Sequence, residues 1–393
     1  MTTGAARQEI ATERPARIAF AAGALGLAFS LLGAFFDRVQ FFQSYLVAYI
    51  FWLAIPLGSL AILMLHHLVG GAWGWVIRRL LEAATRTLPL IALLFVPLFF
   101  GLQALYPWAR PELVAGDPVL QHKANYLNVP FFVVRAIFYL ALWGGIAYFL
   151  NRWSRQQDDV AEISAGKRLR RLSGPGLLLY FLTMSFAAID WIMSIDAHWF
   201  STIYGALWIV NQGLTGFAFA IAGLCWLENK QPLAGLVRQD HFHDLGNLLL
   251  AFVMLWAYMA FSQYLIIWSG NLAEEIPWYI TRNTGHWRWI PPVLIIFHFF
   301  LPFFLLLLRD VKRNSGTLLW VALGVLAMRL IDTFWLIVPG FEATAGHPLH
   351  WLDLALIVGI GGVWLGTFLW QLDKLPMLPL QAPLVAEESA AHG

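Results

Sequence analysis

The stretch LLWVALGVLAMRLIDTFWLIV, residues 318–338, decides the fold. As a helix it runs about 31 Å, the thickness of a bilayer's hydrocarbon core. It is apolar throughout except for Arg329, Asp332 and Thr333. Arg and Asp near a helix centre each oppose insertion by roughly 2.5–3.5 kcal/mol, whereas the stretch's Leu, Ile, Val and Phe residues favour it by only about 0.3–0.6 kcal/mol apiece. The pair cancels most of the insertion drive, so it is tolerable only where it faces protein. Three residues apart, Arg329 and Asp332 share one helical face and can neutralise each other against a neighbouring helix. Two readings follow: an ion pair that locks a bundle, or a proton or ligand pathway, the default for ionisable groups inside a membrane.

The rest of the chain has the same character. Of 393 residues 60% are hydrophobic and 12% charged, against roughly 25% charged in soluble domains. Ten apolar runs follow one another from Ile18–Phe36 to Trp351–Leu372, with no stretch long enough for a separate soluble domain. The expectation is an all-α polytopic membrane protein: an N-terminal segment (1–17), a ten-helix domain (18–372) and a C-terminal tail (373–393). The first run exceeds a signal-peptide core and reads as a retained helix.

Ten spans place both termini on one side. With the termini cytoplasmic, the cytoplasmic segments hold 18 of the 25 Lys and Arg residues and the outer loops five; Arg135 and Arg329 lie within spans. This asymmetry puts the termini inside. WGWVIRRLLEAATRTLP (73–89) reads as an interfacial helix at the cytoplasmic surface, with Arg78, Arg79, Glu82 and Arg86 on one side. The outer loops LYPWARPELVAGDP (105–118) and SGNLAEEIPWY (269–279) suit docking of external subunits, or are plain exposed loops.

Polar residues fall into layers. His298, Arg329 and Asp332 lie near mid-membrane. His66, with His67, and DHFHDLGN (240–247) lie at the cytoplasmic ends, where His243 and Asp244 form a candidate proton mouth. The expected proton path therefore comprises His66, His243, Asp244, His298, Arg329 and Asp332. Towards the outer side, Arg135, Asp190, His350 and Asp353 are candidates for a shared pocket with a His or carboxylate able to take a hydroxyl proton, as quinol oxidation requires. Arg135 alone would snorkel, and Asp190 alone would be hydrated. A metal at His241 and His243 is disfavoured, because carboxylates at a helix start cap its free N–H groups. Cys225 is the sole cysteine, so no disulfide framework, haem-attachment motif or iron–sulfur ligand set exists. His298 has no second His at its depth for a b-type haem, although His66 or His67 with His243 remains a formal pair at the rim. Gly359, Gly361, Gly362, Pro291 and Pro292 weakly suggest the broken helices of a stand-alone ion-coupled transporter; a purely structural anchor is the third reading.

The strings MLHHLVGGAWGWVIRRLLEAATRTLP (64–89), HWFSTIYGALWIVNQG (198–213) and HFHDLGNLLLAFVMLWAYMAFSQYLIIWSGNLAEEIPWY (241–279) resemble the F subunit of bacterial alternative complex III, quinone-binding subunit 2 of a quinol:cytochrome c oxidoreductase related to the polysulfide reductase membrane subunit. The resemblance covers the chain from about the second span onward. It implies two four-helix bundles with two peripheral helices. It also implies a respiratory complex containing a multihaem cytochrome c, an iron–sulfur subunit, a homologous ten-helix quinone-binding subunit, and small haem and anchor subunits. That complex passes electrons from menaquinol or ubiquinol to a cytochrome c or a terminal oxidase. The resemblance further implies a bacterial inner membrane and no nucleic acid partner; it assigns this subunit a proton-conducting role with an uncertain quinone site.

Overall fold

The computed structural model describes residues 12–159, 163–231, 233–341 and 349–376. Most of the N-terminal segment and the tail beyond residue 376 lie outside them. Among the described residues there is no strand, and ten helical segments are long and apolar enough to cross a membrane. The chain is a multi-pass membrane protein. The helices are α1 (Glu13–Phe36), α2 (Arg38–Val69), α3 (Ala72–Thr85) with its continuation α4 (Leu88–Phe99), α5 (Val129–Asp159), α6 (Ile163–Trp191), α7 (Tyr204–Leu227) and α8 (Gln239–Gly270). After a short α9 (Pro277–Arg282), the eighth span is assembled from α10 (Ile290–Val293), a π-helical stretch Leu294–Phe300 and α11 (Leu301–Leu307). The last two spans are α12 (Ser315–Ile337) and α13 (Trp351–Asp373).

Two groups of four spans form. One contains α2, α3–α4, α5 and α6; the other contains α7, α8, the eighth span and α12. The nearly fully buried α2 and α7 pack together and join the groups. Gly58 and Gly216 allow this, because a Cβ on Gly58 would stand 1.9 Å from the Gln212 carbonyl oxygen. Helices in lipid associate through such close backbone packing, since lipid supplies no hydrophobic drive between them.

Outside both groups, α1 and α13 lie along each other. The buried residues of α1 are Ala16, Ala19, Gly23, Gly26, Ser30 and Gly33, alternately three and four residues apart, the spacing of a left-handed helix pair. Opposite them stand Gly359 and Gly362. The glycines that hinted at a broken transporter helix therefore serve packing: α13 is continuous, and a Cβ on Gly361 would fall 2.1 Å from the Trp52 ring. Thr12 Oγ1 donates to Asp373 Oδ1 at 3.0 Å, so the starts of α1 and the end of α13 share one face of the protein, here called the terminal side. The opposite face is the far side.

One expectation is corrected. Residues 73–89 are not a surface helix: Arg78, Arg79 and Glu82 are buried, and α3 runs on into the third span. Glu82 accepts from Arg78 Nε at 2.9 Å and from Arg79 Nη1 at 2.6 Å, while Ser154 of α5 donates to it at 2.5 Å. The charged side of this helix looked solvent-seeking because its polar partners beyond Glu82, Ser154 and Gln157 of α5, lie in a distant segment.

Candidate functional site

The second group of helices gathers the mid-membrane polar residues. Arg329 and Asp332 are both buried on α12, and Arg329 Nη1 donates to Asp332 Oδ2. Thr215 of α7 receives the Arg329 Nε–H at 3.3 Å, and Trp256 of α8 donates its indole N–H to Asp332 Oδ2 at 3.4 Å. Thr333 Oγ1 donates back to the Arg329 carbonyl at 2.8 Å, tying its hydroxyl to the same turn. Three helices thus meet at one ion pair, which faces protein as the insertion balance required.

His298 joins from the eighth span. Its ring centroid lies 4.0 Å from that of Trp256, it is fully buried, and neither ring nitrogen has a hydrogen-bond partner. It sits in the π-helical stretch Leu294–Phe300. Pro302, four residues on, has no N–H to offer the His298 carbonyl in an α-helical ladder, a local reason for the wider turn. Such π-helical turns recur at functional sites.

Above Asp332, towards the far side, a cavity of about 900 Å³ lies between α8, α9, the eighth span and α12. Its walls are mainly aromatic and aliphatic, including Trp256, Phe261, Tyr264, Tyr279, Phe299 and Trp335. Asp332 and Gln263 are among its few polar linings. Gln263 is buried with its Oε1 unmatched, and both described bonds to Asp332 fall on Oδ2. Asp332 Oδ1 is therefore the carboxylate oxygen without a described donor, beside a cavity of the size and apolarity that suits a small-molecule ring.

The roof of this cavity is held by Arg282 at the end of α9. Its Nε and Nη2 donate to the Trp335 and Leu336 carbonyls at 3.1 and 2.8 Å, and its Nη1 to the Trp278 carbonyl at 3.0 Å. The guanidinium also lies 3.6 Å from the Trp278 ring centroid. Burial pushes Arg282 down to about 10, so it remains a cation at neutral pH. A cation over the last carbonyls of α12 satisfies groups with no partner inside the helix and complements its dipole.

No protein-family model matches this chain, and no curated protein matches it. Among the described residues, no group of three or more His, Cys, Asp or Glu could hold a metal ion.

The expected outer pocket of Arg135, Asp190, His350 and Asp353 divides into two unrelated pairs. Arg135 on α5 clamps Asp190 on α6, Nε to Oδ2 at 2.8 Å and Nη2 to Oδ1 at 3.0 Å, and Tyr139 donates to Oδ2 at 3.0 Å. The guanidinium is covered by Tyr126 and Phe131, with its carbon 3.9 and 4.2 Å from their centroids. Both carboxylate oxygens are engaged, and Asp190 is fully buried. His350 and Asp353 instead cap α13: His350 Nδ1 accepts from Leu352 N at 3.3 Å, and Asp353 Oδ2 accepts from His350 N at 2.7 Å. None of the four lines the large cavity.

On the terminal side the predicted mouth is also divided. His243 and Asp244 lie partly exposed at the start of α8, 3.9 Å apart, and His243 meets Asn247 at 3.4 Å. His66 is buried near the end of α2 against Trp73 and Trp75, and no hydrogen bond or ion pair joins it to His243. Asn211 and Thr215 of α7 and Trp256 of α8 were not among the residues expected from the sequence, and Gln263 was expected only as one of the polar residues towards the outer side. The four-residue step from Asn211 to Thr215, with Gln212 beside it in a largely apolar span, was a readable sign of a polar helical face. Trp256 gave no such sign, because membrane helices contain tryptophan for many reasons.

Proposed function

We propose that this chain is the proton-exchanging membrane subunit of a bacterial respiratory quinol:cytochrome c oxidoreductase, seated in the inner membrane with both termini cytoplasmic. The observation that carries the reading is Asp332: a buried carboxylate, paired to Arg329, that also lines a large apolar cavity. Charged groups held at that depth mark ion pathways. Oxidation of a quinol, menaquinol or ubiquinol, releases two protons and two electrons. The chain's own residues supply the proton side: Asp332, paired to Arg329, exchanges the proton, and Gln263 and the aromatic walls line the cavity beside it.

The electrons leave through partners, namely the multihaem cytochrome c and the iron–sulfur subunit, beside the homologous ten-helix subunit and the small haem and anchor subunits. Support for this assembly is the resemblance of residues 64–89, 198–213 and 241–279 to that family and the two four-helix groups with a peripheral pair. The quinone site belongs in the cavity at Asp332 on this reading, because Asp190 is fully buried beneath the Arg135 clamp and lines no part of that cavity. The test is affinity purification of the tagged chain from its native membranes. Recovery of a multihaem cytochrome c with quinol oxidation that reduces it is the expected result; a chain that purifies alone and moves a solute would replace the reading with an ion-coupled transporter.

A further inference from the structure

The Arg329–Asp332 pair has a second neighbour that the cavity does not include. Asn211 of α7 is fully buried, and neither its Oδ1 nor its Nδ2 has a partner. Thr215, one helical turn further towards the terminal side, receives Arg329 Nε–H. Four residues of rise, about 6 Å, therefore place Asn211 level with Asp332, which lies three residues, about 4.5 Å, beyond Arg329 on the antiparallel helix.

The polar residues continue towards the terminal side along the contact between α2 and α7. Gly216 stands against Ser59: a Cβ there would fall 2.7 Å from the Ser59 nitrogen. Ser59 is buried with its Oγ unmatched. Two turns further along the same face of α2 comes His66, buried with its Nδ1 unmatched. Space for that ring is made by Gly74, whose Cβ would lie 1.9 Å from Nδ1. Leaving a buried polar group unmatched costs about 1–3 kcal/mol. His66 and Ser59 lie along α2, and Asn211 continues the series on the face of α7 that Thr215 turns to the ion pair. Hydrogen-bonding atoms without a protein partner are the atoms that bind buried water.

We propose that protons reach Asp332 from the terminal side along this α2–α7 seam, through His66, Ser59 and Asn211, and that His243 and Asp244 do not lie on the route. The inference rests on the reading that Asp332 exchanges protons. Asp332 then stands between two accesses: the seam on one side and the cavity on the other. Arg329, bonded to Thr215 of the seam helix and to Asp332, is the charge between them.

The test uses the whole complex in sealed liposomes, driven by a short-chain quinol with cytochrome c as acceptor. Protons translocated per electron and the rate of quinol oxidation are read separately. Asn211→Leu, Ser59→Ala and His66→Phe should each abolish the translocated protons, leaving only those released by the quinol, while oxidation continues. Asn211→Ser should restore translocation, and Asp244→Asn with His243→Phe should leave it intact. Asn211→Leu removes two unmatched polar atoms and should not lower thermal stability, which separates a broken route from a misfolded chain. Should it fail to assemble, the smaller Ser59→Ala decides. Full proton yield in the seam variants, or loss only in the His243 and Asp244 variant, overturns the route. An unchanged yield in Asp332→Asn as well would instead overturn the underlying reading.

Discussion

Replacing Arg329 by Met tests what the ion pair is for. The change removes the Nη1 donor from Asp332 Oδ2 and the Nε donor from Thr215, leaving the Trp256 indole at 3.4 Å as the carboxylate's remaining described donor. Removing one member of a buried pair strands the other and costs about 3–5 kcal/mol. Removing both, as in Arg329→Met with Asp332→Leu, takes out the buried charge entirely and is neutral or stabilising by about 1–4 kcal/mol in comparable sites. It also removes roughly 5–7 kcal/mol of opposition to insertion. The assay is equilibrium unfolding of the purified protein in mixed micelles, followed by tryptophan fluorescence, for wild type, each single variant and the double variant. Each single variant should be destabilised and the double should regain or exceed wild-type stability. A double variant as unstable as the singles would mean that the pair is a bundle lock, and the argument that it is retained for function would fail.

Other consequences are independent of that pair. Asp190→Leu strands Arg135 between Tyr126 and Phe131 and should cost about 3–5 kcal/mol in the same unfolding assay, with the KM for quinol unchanged; an altered KM at full stability would return a ligand to that clamp. Ala260→Trp places an indole in the cavity and should weaken binding of a quinone analogue by about ten- to a hundred-fold, the equivalent of about 1–3 kcal/mol of overpacking; unchanged binding to the complex places the analogue elsewhere. On the far side, burial draws the Asp117 carboxyl up, but the Val119 and Leu120 N–H groups and the His198 ring outweigh it and hold the carboxyl below its ordinary 3.8. An acid with a lowered folded value stabilises fully above 3.8 and loses that contribution as pH falls through the folded value. Protease cleavage around residues 111–123 should therefore rise on acidification in wild type and be pH-flat in Asp117→Asn.

Much of the architecture was legible because the bilayer imposes length. Apolar runs of about 20 residues gave the spans without knowledge of any contact, and the insertion balance at Arg329 and Asp332 required a protein-facing pair. Partners were not legible. Arg135 and Asp190 could be named, but that they clamp each other depends on how α5 meets α6. His350 and Asp353 looked like pocket chemistry because a helix cap uses the same residue types at the same three-residue spacing. The Arg78, Arg79 and Glu82 side of α3 looked amphipathic because Ser154, its hydroxyl partner, lies more than 70 residues away. Glycines in α13 resembled breaks until α1 supplied their facing surface.

The central claim is that Asp332 carries protons. The most direct measurement compares wild type and Asp332→Asn in the complex reconstituted in liposomes, reading protons translocated per electron beside the rate of quinol oxidation. The account predicts that the substitution lowers translocation more than oxidation. Equal loss of both, or no loss of either, would contradict it.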